Sequence, residues 1–154
     1  MSLRFAVTSA VRLGTAFGVL VSSASAAEPI YTKDGLALSG YDAVAYFTQS
    51  KAVKGEPEFE HEWEGVRWRF ASAANREAFA LSPAKYAPQY GGYCAYAVSR
   101  DYTYATDPEA WKVVDGKLYL NYDKKVRTLW EKELPEAISR ADRNWPAVLA
   151  KPKR

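Results

Sequence analysis

The chain has 154 residues, enough for one domain and too few for two of ordinary size. Its 21 basic and 18 acidic residues leave a net charge of +3. That charge is too small and too mixed in sign for the broad positive field that nucleic-acid binding requires. One cysteine, Cys94, excludes an intramolecular disulfide, so a core must hold the domain together.

Residues 1–26 read as a secretory signal peptide. Arg4 and Arg12 make the start positive, and Leu13 to Val21 form a short apolar core. Small residues follow from Ser22 to Ala27, so cleavage after Ala26 or after Ala27 fits. A membrane anchor would need roughly 20 apolar residues, more than this stretch provides. The expected product is an exported protein, periplasmic or secreted, with no membrane span after cleavage. Removing Arg4 and Arg12 leaves 19 basic and 18 acidic residues, a net of +1. The basic cluster Lys151 to Arg154 is an ordinary solvated end.

The domain over 27–154 is read in chain order. Residues 28–40 are polar and contain glycine, and read as an extended lead-in. Tyr41 to Phe47 is an apolar run that predicts a short helical turn, with Asp42 near its start. Residues 48–57 form a loop. Glu58 to Trp63 alternates, with Phe59, His61 and Trp63 on one face. Glu64-Gly65 makes a turn, and Val66, Trp68 and Phe70 share one face of the returning strand. Ser72 is a helix N-cap. Helical spacing then runs from Ala73 to Leu81, with Ala74, Ala78 and Leu81 inward and Phe79 flanking, until Pro83 ends it. Tyr86 to Tyr96 gathers four tyrosines around Gly91-Gly92, and a short helix can follow from Cys94 to Arg100. Residues 102–107 read as a polar loop. Trp111 to Val114, Asp115-Gly116 and Lys117 to Tyr122 form a second hairpin with a strong tight-turn signal. Asp123 caps a helix whose stripe is Val126, Leu129, Trp130 and Leu134. Pro135 interrupts, and a last helix spans Glu136 to Asn144 with Ile138, Ala141 and Trp145 inward. The expected fold is α+β: two antiparallel β-hairpins packed with three or four helices.

Candidate chemistry is sparse. Gly91-Gly92 lacks the spacing of a phosphate-binding loop. The one histidine, His61, sits mid-strand, so no Ser-His-acid set forms and no acid–base catalysis is expected. Cys94 and His61 are soft enough to suit copper or zinc. A closed zinc site takes three or four protein ligands, which this inventory does not supply. The alternative for Cys94 is a buried core thiol. The tyrosine cluster suits a small-ligand pocket or an interface, or else the rim of a core.

The motifs Tyr41-Asp42-Ala43-Val44-Ala45-Tyr46-Phe47, Trp63 to Ser72, and Asn75, Phe79, Pro83 and Tyr86 resemble the YHS domain family. Tyr90 to Ser99, Val113 to Tyr122 and Ala141 to Pro146 look like an exported bacterial branch with one such domain and a C-terminal helical extension. The resemblance implies an association with copper or other soft transition metals held by family cysteines. At the matching positions this chain has Ala45, Ala71 and Asn75, so all three thiols are gone. Two functions stand open. One is a metal-associated, copper-binding protein using Cys94 with His61 or a tyrosine. The other is a metal-free module that takes a small ligand or a protein partner through Tyr90, Gly91, Gly92, Tyr93 and Tyr96.

Overall fold

The computed structural model describes residues 26–151. Apart from Ala26, the signal-peptide reading lies outside them, as do residues 152–154. The fold is α+β, with two sheets and six α-helices among the described residues. The first sheet contains β1 (Thr32–Lys33), β2 (Leu36–Ala37), β3 (Glu56–Trp63) and β4 (Val66–Phe70), in the order β1-β2-β4-β3. The second pairs β5 (Asp107–Val114) with β6 (Lys117–Asn121). Both predicted hairpins form. Trp63 pairs with Val66 across Glu64-Gly65, and Val114 pairs with Lys117 across Asp115-Gly116.

The lead-in is not merely extended. Asp34 and Gly35 both have positive φ, and they turn β1 onto β2. This is the same Asp-Gly device as in the second hairpin. β2 then joins β4 in parallel through Leu36 and Arg67, so the first sheet is mixed rather than a lone hairpin.

The helices are α1 (Ala45–Thr48), α2 (Ala73–Leu81), α3 (Pro83–Tyr86), α4 (Ala95–Ser99), α5 (Lys124–Lys132) and α6 (Glu136–Asn144). Six form where three or four are expected. α1 and α3 are single turns and α4 is hardly longer, too short to show a period in sequence. Pro83 ends α2 and also opens α3, because its fixed φ suits the first helical position. Ser72 and Asp123 cap as expected, accepting from Asn75 N at 3.1 Å and Val126 N at 2.7 Å.

The inward face of α2 differs from expectation. Phe79 is fully buried, whereas Leu81 is 85 % exposed and Ala74 is exposed. Phe79 packs on Phe70, Trp68 and Trp63 of the first hairpin, with ring centroids 5.0, 4.8 and 5.9 Å away. The sheet's aromatic face thus selects the largest side chain of the helix. On α5, Trp130 is buried but Leu129 is 42 % exposed.

Two apolar cores result. One gathers Val44, Tyr46, Trp68, Phe70 and Phe79; the other gathers Tyr90, Tyr93, Val98, Trp130 and Val148. β6 is the wall between them. Its side chains alternate by strand geometry, so Leu118 and Leu120 enter the first core and Tyr119 enters the second.

The Gly91-Gly92 segment belongs to this packing. Gly91 has φ +61°, and its carbonyl accepts from Tyr31 N at 2.9 Å. A Cβ there would lie 1.9 Å from the Pro29 carbonyl oxygen. Gly116 also has positive φ (+73°), but open space surrounds it. Gly116→Ala should therefore cost only the backbone strain, about 1 kcal/mol. Gly91→Ala adds a backbone collision and should cost several times more, on the order of 3 kcal/mol or above. Paired urea melts of the two variants check this; equal losses would refute the role given to Gly91.

Candidate functional site

Among the described residues of the first half of the chain, the Asp42 side chain makes the most hydrogen bonds. It is fully buried. Oδ1 accepts from Val44 N at 2.8 Å and Ala45 N at 3.2 Å. Oδ2 accepts from Ala71 N at 2.8 Å and from Asn75 Nδ2 at 2.7 Å. Ala45, Ala71 and Asn75 are the three positions where the resemblance places family thiols. The fold brings all three to one point, and that point is a carboxylate with four N–H donors. Hydrogen bonds satisfy both of its oxygens, and no metal is required to satisfy them.

Cys94 and His61 fall in different surroundings. His61 is on β3, half-buried, with its ring 6.1 Å from that of Phe79. Cys94 precedes α4 and bridges to Leu120 of the other sheet. It is 2 % exposed, and its Sγ lies 3.7 Å from Asn121 Oδ1, to which the thiol donates. Burial pushes the thiol up, and this outweighs the backbone N–H groups of Ala97, Tyr122 and Tyr96 that pull it down. Among the described residues, no group of three or more His, Cys, Asp or Glu side chains could hold a metal ion.

The tyrosines divide. Tyr90 is core: its hydroxyl donates to Asp142 Oδ1 at 2.8 Å, and burial, reinforced by that bond, pushes its pKa up. Tyr93 donates to the Glu28 carbonyl at 2.7 Å and stacks near Tyr31. Gly92 accepts from Thr106 Oγ1 at 2.8 Å. Tyr90, Gly91 and Gly92 therefore serve packing, and this part of the loop is not an open ligand surface. Tyr93 borders a surface cavity of about 230 Å³ with Tyr31 and Tyr104.

Tyr96 alone of the predicted set joins Cys94 at a second groove, of about 250 Å³. The other walls are Ala97, Tyr102, Tyr104, Tyr122 and Val126. These five were not among the sequence candidates. Tyr104 and Tyr122 meet edge to face at 5.0 Å and remain 39 % and 46 % exposed. Their signal in the sequence is faint: two tyrosines spaced by two in a segment read as a polar loop, and one at the end of a strand. Buried Asn121 props the floor, accepting from Tyr96 N at 3.2 Å and from the Cys94 thiol. Its Nδ2 has no hydrogen-bond partner among the described residues.

The wall beyond Tyr96 is an ionic cluster. Arg100 lies over the Tyr96 ring at 5.0 Å and bonds Glu133 at 2.6 Å; Arg140 and the Tyr96 hydroxyl also reach Glu133. Slight burial raises the Glu133 carboxyl, but Arg100 and Arg140 outweigh it and hold the group below its ordinary range.

No protein-family model, curated protein or solved structure matches the chain. No helix among the described residues is long and apolar enough to cross a membrane.

Two outcomes are expected. Asp42→Asn keeps the shape but turns an N–H donor toward donors, and should cost on the order of 3 kcal/mol in a thermal or urea melt. Cys94 should react with a thiol reagent at pH 7.5 about a hundredfold more slowly in the native protein than in denaturant. Its raised pKa also fixes a pH dependence. The contribution of the neutral thiol is complete below the ordinary thiol value of about 8.5 and is lost as pH rises through the higher folded value. Cys94→Ala should flatten that alkaline decline.

Proposed function

We propose that this chain is an exported YHS-like domain acting as a binding module, with a small ligand held in the aromatic groove over Cys94. One observation carries the reading: tyrosines from separate segments of the chain converge on one groove, and two of their residues, Tyr104 and Tyr122, stay 39 % and 46 % exposed. Exposed aromatic rings cost free energy unless something covers them, and paired rings with hydroxyl tips offer both a stacking face and polar anchors. The groove volume lies just below the roughly 300 Å³ at which drug-sized pockets begin, so it fits a small molecule.

The placement of Ala45, Ala71 and Asn75 around Asp42 supports the YHS likeness. It also supports a branch in which hydrogen bonds have taken over from metal ligands. The copper reading lacks comparable support: Cys94 bonds Asn121 beside the second sheet, while His61 packs on Phe79 beside the first. Export fits the way the segment after the signal is held. Ala27 is 6 % exposed, and its N–H donates to Leu149 O at 2.9 Å. Cleavage after Ala26 preserves that donor, and cleavage after Ala27 removes it.

The test is ligand-observed NMR with a set of small aromatic and aliphatic fragments. Wild-type protein should bind aromatic members. Tyr104→Ala with Tyr122→Ala should lose them at least tenfold while the melting midpoint moves only a few degrees, since both rings are exposed. Fragment binding unchanged by the double variant would refute the groove.

A further inference from the structure

We infer that the groove over Cys94 takes a small quaternary ammonium ion, held by its tyrosine walls and by the Asp123 carboxylate beside them; this rests on the binding-module reading above and names the ligand class. A tyrosine ring is negative on its faces and attracts a cation within about 6 Å of its centroid. The protein already uses this attraction at one wall, where Arg100 lies 5.0 Å from the centroid of Tyr96. Over Tyr104 and Tyr122, among the described residues, no cation lies. These two rings meet at 75° with centroids 5.0 Å apart, so they make a corner in the groove wall. No charged side chain lines that groove among the described residues.

The nearest charge that lacks a counterion is Asp123. It follows Tyr122 in the chain, its Oδ1 accepts from Val126 N at 2.7 Å, and its charge acts on the Cys94 thiol. Asp123 thus adjoins three walls of the groove, and among the described residues it forms no ion pair. The cations of the neighbouring segments are engaged, Arg100 with Glu133 and Lys151 with Asp101. Lys124 and Lys125 are carried off the Val126 face by the helical turn of about 100° per residue. A cation in the groove therefore meets aromatic faces and an uncompensated carboxylate, whereas an anion meets repulsion. Methylation of the nitrogen follows from the same walls. A primary ammonium brings three N–H donors, and rings, Ala97 and Val126 offer it too few acceptors to replace water. A quaternary nitrogen has no N–H to satisfy.

Three probes test this: choline, its neutral carbon isostere 3,3-dimethylbutan-1-ol, and unmethylated ethanolamine. Each is titrated into the ¹⁵N-labelled protein at low salt while the amide signals of Tyr96, Tyr122 and Val126 are followed. Choline should bind about fivefold or more tighter than either of the others. Tyr104→Leu with Tyr122→Leu should abolish that preference, and Tyr104→Phe with Tyr122→Phe should restore it. Asp123→Asn keeps a helix N-cap, and should weaken choline about threefold while leaving the alcohol unchanged. Added salt should narrow the gap between choline and the alcohol. Equal affinity for choline and the alcohol, or a choline affinity indifferent to Asp123→Asn, would overturn the inference and leave the groove standing as a small-ligand site. Aromatic fragments that bind where choline does not would have the same consequence. If neither the fragments nor choline moves those signals, the groove reading falls and the inference with it.

Discussion

The Asp42 carboxylate ties together pieces of chain that sequence keeps apart. It closes the turn that starts α1 and reaches 29 and 33 residues on to the Ala71 amide and the Asn75 side chain. Those contacts seat α1 against the point where β4 hands over to α2. A buried carboxylate is tolerable only if its oxygens are satisfied, and here four N–H donors satisfy them. The first core assembles around that seat, with Val44 and Tyr46 beside it and Phe79 pressed onto the aromatic hairpin.

The second core is tied to the first through β6 and through the chain's own entry segment. Residues 27–31 run along the Gly91 turn, anchored by Tyr31 N to Gly91 O, by the Tyr93 hydroxyl to Glu28 O and by Ala27 N to Leu149 O. This strap allows no Cβ at position 91. The Gly-Gly pair that stands out in the sequence is thus explained by close backbone approach, and the tyrosines beside it divide between core and surface according to which side of the strap they reach.

The groove follows from that division. Cys94 lies at the floor of the groove, its neutral form favoured by burial and by Asn121, and the groove's character comes from the rings above it. The cluster on Glu133 fixes Tyr96 from outside, and the cap at Asp123 fixes Val126 from below. Both acids are held by these structural tasks.

Local signals in the sequence determined the strands of both hairpins, the Glu64-Gly65 and Asp115-Gly116 turns, the Ser72 and Asp123 caps, and the bounds of α2 and α6. Each of these rests on residues within a few positions of one another, where alternation, capping and turn chemistry act. Tertiary structure alone decided the rest. It paired β2 with β4, buried Phe79 while leaving Leu81 in water, and gathered Ala45, Ala71 and Asn75 onto Asp42. It also set His61 against Phe79 and Cys94 against Asn121, and drew Tyr102, Tyr104 and Tyr122 to one groove. Those outcomes depend on which surfaces meet across tens of residues of chain. A side chain's type says that it will pack or bond, but its partner is chosen only when the two cores close on β6.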